Sequence, residues 1–122
     1  MDMLQAFFTK HGWEIFHRAH EHLFLTVLAM LGATSIALPV GIMLTRCKNQ
    51  RVANIIMACA AALQTIPSLA MIALVVLLFA VLLLPTVGVL PALAALMAYA
   101  LLPILRNTYT GIKQVDPAVI EV

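Results

Sequence analysis

Hydrophobic residues in this chain come in long uninterrupted blocks, not as the one-sided stripes of a soluble helical protein. No charged residue occurs from Leu23 to Thr45, and none from Val52 to Leu105. About 20 apolar residues at 1.5 Å each cross a hydrocarbon core of about 30 Å, so each block is long enough to span a bilayer. The pattern predicts an all-α integral membrane bundle of about three transmembrane helices, over residues 23–45, 66–84 and 90–105. Residues 1–22 form a separate N-terminal interfacial segment ahead of a membrane domain over 23–122.

Local features divide the blocks. Met1 to His22 mixes Leu4, Phe7, Phe8, Trp13, Ile15 and Phe16 with Lys10, Glu14, Arg18 and Glu21. One or two short helices lying on the membrane surface are expected there, with the Trp13 ring at headgroup level. Gly32, Ala33, Thr34 and Ser35 cluster in the first span, followed by Pro39 and Gly41, and small residues of this kind let helices approach closely. Val52 to Leu84 is too long for one straight crossing and is interrupted by Gln64-Thr65-Ile66-Pro67-Ser68. Pro67 removes a backbone donor, and Gln64, Thr65 and Ser68 can bond the carbonyls that it frees. A short helix, a bend and then the second span from about residue 66 are expected. Polar groups beside a broken membrane helix either line a solute path or fix helix packing, and the residues alone leave both open.

Charge placement orients the bundle. Arg46, Lys48 and Arg51 crowd one short loop, the turn from Pro85 to Pro91 is uncharged, and Arg106 and Lys113 follow the third span. Basic loops stay cytoplasmic, so the N-terminus lies outside and the C-terminal segment inside. Beyond Arg106-Asn107 the chain leaves the apolar phase, and the third helix is expected to break at Gly111. A new polar helix then starts at Asp116-Pro117, a carboxylate N-cap followed by proline at the first helical position. A membrane helix followed by a short surface helix is a handle that another protein can grip.

Composition adds mainly exclusions. The chain is 64% hydrophobic and 10% charged over 122 residues, too much apolar surface for a soluble domain of this size to bury. A net charge of +2, scattered and without interleaved aromatics, does not fit nucleic acid. Cys47 and Cys59 lie at unrelated depths and read as free thiols. His17, His20 and Glu21 share a helical face that could hold a metal, but interfacial histidines are ordinarily just solvated, and no metal site is expected. The first apolar run follows a polar, His-rich segment, so no cleavable signal peptide is expected. No span carries an ionisable residue, no nucleophile has a positioned base, and no phosphate loop occurs. The chain therefore reads as neither an ion-coupled carrier nor an enzyme, with no cofactor.

Five stretches carry a family resemblance: EHLFLT (Glu21–Thr26), ALPVGIML (Ala37–Leu44), QTIPSLA (Gln64–Ala70), GVLPALAALMAYALLPILRNTYTGI (Gly88–Ile112) and VDPAVIEV (Val115–Val122). With these the chain resembles the membrane permease of bacterial binding-protein-dependent ABC importers, in the branch for osmoprotectants such as glycine betaine, choline and carnitine. The resemblance implies an inner-membrane subunit that pairs with a second permease subunit, with cytoplasmic ATP-binding subunits and with an external substrate-binding protein. It also implies that Asp116, Pro117, Ile120 and Glu121 begin the coupling helix that docks on the ATPase. That helix carries a Glu-Ala-Ala triplet in the family. Glu121 matches the Glu and Val122 stands at the first Ala, so the chain is expected to be the N-terminal part of a permease. Gln64, Thr65 and Ser68 are the candidates for the translocation path. Recognition of a quaternary ammonium would need an aromatic cage. Tyr99, Tyr109, Phe79 and Trp13 are too far apart to form one locally, which leaves selection mainly to the delivery protein. The alternative is a small multi-span interaction or holin-like protein without transport activity of its own.

Overall fold

The computed structural model describes residues 2–115 and Val119. Four α-helices follow in order: α1 (Asp2–Thr45), α2 (Gln50–Gln64), α3 (Ser68–Val81) and α4 (Val89–Lys113). The all-α architecture agrees with the sequence pattern. By length and composition α1 and α4 can each cross a membrane, and α2 with α3 can supply a third crossing as one bent pair.

Helix α4 is the hub, and α1, α2 and α3 each pack against it. The α1 contact is a seam of small residues spaced four apart: Ala29, Ala33, Ala37 and Gly41, closing on Leu44. Ala33 and Ala37 are 0% exposed. Lipid chains are as apolar as leucine, so helices in a bilayer associate through close packing, which small side chains permit. Gly32 faces Met97 and Gly41 faces Thr108, so α1 and α4 run parallel. Two parallel spans require one return crossing between them. By length and composition the bent α2–α3 pair can supply it.

The N-terminal segment departs from expectation. Residues 2–22 form no separate short helices but continue unbroken into the first span as one 44-residue helix, about 66 Å long at 1.5 Å per residue. No proline interrupts it before Pro39. Pairs one turn apart support it: His11 with Glu14 at 3.8 Å, and His17 and Arg18 with Glu21 at 3.4 and 3.3 Å. Counted back in register from the Gly32–Met97 contact, Phe24 is level with the start of α4. Everything before it stands clear of the bundle, and nothing on α1 ahead of Ala29 is buried.

The chain bends by 109° between α2 and α3. Thr65 caps α2, and its hydroxyl donates to the Ala62 carbonyl at 2.7 Å. Pro67 precedes α3 with extended ψ, where the absence of an N–H does no harm. The break is thus where the sequence puts it. Helix α3 is shorter than the expected span: 14 residues from Ser68 to Val81, about 21 Å, against the predicted 66–84. It ends in a Schellman motif, with Leu84 N–H donating to Phe79 O at 2.8 Å and Leu83 N–H to Ala80 O at 3.2 Å. The left-handed residue in that motif is Leu83, at φ 57° and 93% exposed. A left-handed conformation costs an L-residue about 1–2 kcal/mol, so Leu83→Gly is expected to raise the thermal midpoint of the purified protein by a few degrees. An unchanged or lower midpoint would show that the larger unfolded-state entropy of glycine cancels the gain.

At the other end, α4 runs through Gly111 to Lys113, correcting the expected break at Gly111. One helical glycine weakens a helix by only about 1 kcal/mol, and Lys113 in the last turn favours the negative end of the helix dipole. Gln114 caps α4, its N–H donating to Thr110 O at 3.1 Å. The predicted coupling residues Asp116, Pro117, Ile120 and Glu121 lie outside the described residues.

Candidate functional site at the basic end of the bundle

Five of the seven basic residues gather at one end: Arg46, Lys48 and Arg51 around the α1–α2 turn, and Arg106 and Lys113 on α4. Asn49 builds the turn by accepting the Arg51 N–H at 3.1 Å as N-cap of α2. From there α2 crosses the end of α4, held by polar side chains at both of its ends. Gln50 Nε2 donates to the Tyr109 hydroxyl at 2.6 Å, and Lys113 Nζ donates to Gln50 Oε1 at 3.1 Å. The Lys113 ammonium also lies 5.9 Å from the Tyr109 ring centroid, within cation–π range. At the far end of α2, Arg106 Nη1 donates to Gln64 Oε1 at 3.4 Å.

Between these two polar ties the contact is apolar. Ala60 of α2, Met71 of α3 and Leu102 of α4 form a small buried cluster, with Ala98 packed against it. The bent pair is therefore wedged on the inner part of α4, with the corner at Thr65–Pro67 beside Arg106.

Of the three candidate path residues, Gln64 is half-buried as the last residue of α2. Thr65 is exposed at the corner, and Ser68 is exposed as the first residue of α3. The three lie together at the corner between α2 and α3. Their depth is the new information. The contact between Arg106 and Gln64 puts them level with the basic end of α4. Only Thr65 bonds a nearby carbonyl in the expected manner. The role of Gln64 as acceptor from Arg106, 42 residues away, had no signal in local spacing. Nor did the Gln50–Tyr109–Lys113 cluster, because Gln50 reads in sequence as one more polar residue in a basic turn.

Cys47 is half-buried and Cys59 exposed on this chain, and both are free thiols. His17 and His20 stay on the projecting part of α1, where His17 meets the Glu21 carboxylate.

The family described as Binding-protein-dependent transport system inner membrane component matches residues 37–122, which covers most of the chain. The chain is 40% identical over 121 residues to the Carnitine transport permease protein OpuCB of Listeria monocytogenes, covering 99% of this chain and 52% of that protein. It is 36% identical over 121 residues to the Choline transport system permease protein OpuBB of Bacillus subtilis, again covering 99% of this chain and 52% of that protein. The Osmoprotectant import permease protein OsmW of Salmonella typhimurium is 40% identical over 101 residues, 83% of this chain and 46% of that protein. The chain thus spans about half the length of the curated relatives it matches. No solved structure matches it. This chain belongs to the family of inner-membrane components of binding-protein-dependent transport systems.

Proposed function

We propose that this inner-membrane chain supplies part of the translocation path of an ATP-driven importer for osmoprotectants such as glycine betaine, choline and carnitine. The observation that carries this reading is the family match from residue 37 to 122, joined to relatives whose names specify carnitine, choline and osmoprotectant transport. The chain's own chemistry is compatible with it. A weakly polar corner of Gln64, Thr65 and Ser68 lies at the basic end of an otherwise uncharged bundle. None of the three is itself ionisable, so among the described residues the only fixed charge beside the corner is the Arg106 guanidinium on Gln64. These three residues line the inner mouth of the path in this reading. Binding energy for the quaternary ammonium falls to an external substrate-binding protein. ATP hydrolysis falls to cytoplasmic subunits that grip the segment containing Asp116, Pro117, Ile120 and Glu121. A second permease subunit, identical or different, completes the path.

The test is reconstitution with ATP-binding subunits in vesicles and measurement of ATP-dependent uptake of labelled glycine betaine, carnitine and choline. Glu121→Arg reverses a charge at the proposed docking point. It is expected to weaken retention of the ATP-binding subunit at least about tenfold, the equivalent of about 1.4 kcal/mol. Full retention and uptake in that variant, or activity that survives deletion of Val115 to Val122, would favour a membrane role independent of an ATPase.

A further inference from the structure

Among the described residues, every side-chain hydrogen bond between different helices joins α2 to the end of α4. The two ends of α2 are tied very differently. At Gln50 the amide is complete, with Nε2 donating to Tyr109 at 2.6 Å and Oε1 accepting from Lys113 at 3.1 Å. At Gln64 the amide is incomplete. Its Oε1 accepts a long 3.4 Å bond from Arg106, while its Nε2 is buried with no partner. Buried donors without acceptors are rare because they forfeit their bonds to water and gain nothing back. A half-made contact of this kind sits at one of the few places where the chain can flex, the Thr65–Pro67 corner with its 109° bend. Hinges are a few residues at element ends that absorb backbone rotation.

We propose that the Gln64 end of α2 and the Thr65–Pro67 corner swing against α4 about the fixed Gln50–Tyr109–Lys113 tie, with the Gln64–Arg106 contact acting as a latch. The Gln50–Tyr109–Lys113 tie stays made throughout. The latch is remade or released as the corner swings, and in one of the two arrangements Gln64 Nε2 finds its acceptor. Arg106 and Gln64 are then positioning residues, which set the angle of the path-lining corner without themselves recognising the solute. This inference rests on the importer reading above.

A charged latch should jam. Gln64→Glu turns a bond between an ion and a neutral amide into an ion pair with hydrogen bonding, which is markedly stronger. In proteoliposomes holding the complete transporter, that variant is expected to keep its thermal midpoint and its ATP-binding subunits. Its solute uptake should fall at least about tenfold. Gln64→Glu with Arg106→Gln restores one ion against one neutral amide, with the charge moved across the contact. Uptake should then recover to within about threefold of wild type. Normal uptake in Gln64→Glu overturns the latch. So does a loss that Arg106→Gln does not repair, since that would place the new charge itself in the way of the solute. If Gln64→Glu does not fold, Gln64→Leu keeps the volume and abolishes the latch, and it should hydrolyse ATP with little uptake. A normal ratio of ATP to solute in that variant overturns the proposal. Wild-type vesicles that move no solute on ATP would sink the importer reading, and the latch with it.

Discussion

Replacing Gly41 with leucine is expected to unseat α1 from α4. A β-carbon at that position would lie 2.8 Å from Thr108 Cγ2, 2.9 Å from Thr108 Cβ and 3.5 Å from the Leu105 carbonyl. Thr108 has little room to yield, because its β-carbon is fixed to the backbone and its hydroxyl donates to Ile104 O at 2.8 Å. Sliding the helices apart would open the seam at Ala33 and Ala37, both fully buried. Overpacking a tight contact costs about 1–3 kcal/mol for a modest insertion, and leucine adds three more carbons that have nowhere to go. In a bilayer that loss falls on the main association force, because apolar surfaces gain little by leaving lipid.

The measurement is unfolding of the detergent-solubilised protein, followed by the helical signal and by protease cleavage of α1. Gly41→Leu should lower the midpoint by about 5 °C or more and free α1 for cleavage. Gly32→Ala is the control. A β-carbon there meets only the end of the flexible Met97 side chain, which can swing aside, so the midpoint should move by less than half as much. Equal effects at the two glycines would show that helix propensity, not the Thr108 contact, decides the outcome.

The small-residue seam also shows what could be read from sequence. The cluster Gly32, Ala33, Thr34, Ser35 pointed to close packing in the first span, and Pro67 with its polar neighbours located the bend correctly. Both signals are local, since a missing side chain and a missing N–H act on adjacent backbone. Partner identity is not local. Nothing in the order of residues says that Gly41 faces Thr108, or that Arg106 reaches Gln64. Such pairs follow from the register between helices far apart in the chain. The two overreadings have a common cause. A change of polarity at residue 22 and a glycine at 111 resemble helix ends, but polarity moves a helix between environments without breaking its hydrogen bonds, and a single glycine only weakens one. Helix α1 continues through one and α4 through the other. The family resemblance rested on specific strings, above all RNTYTGI and VDPAVIEV, and the match over residues 37–122 bears it out.

The second large effect concerns which way the bundle faces. Orientation follows the basic residues flanking the spans, and here Arg46, Lys48, Arg51, Arg106 and Lys113 oppose Lys10 and Arg18. Changing Arg46, Lys48 and Arg51 to glutamine leaves Arg106 and Lys113 against Lys10 and Arg18, an even balance. Because α1 and α4 run parallel and pack along a shared seam, they must invert together or not at all. The triple variant should therefore insert as two populations, with neither orientation predominating, rather than as a scrambled bundle. Cys47 lies inside the altered loop and reports its side directly once Cys59 is replaced by alanine. In the parent, a membrane-impermeant maleimide should label Cys47 only when the cytoplasmic face is exposed, and in the triple variant from both faces. Labelling that stays one-sided would mean that the uncharged turn before α4, or the long α1 projection, fixes the orientation regardless of charge. The proposed docking of residues 116–121 on a cytoplasmic ATPase would then rest on those elements and not on the basic loop. If both populations appear, the reversed fraction should also lose ATP-dependent uptake, because its docking segment and its Gln50–Lys113 tie would face away from the ATP-binding subunits.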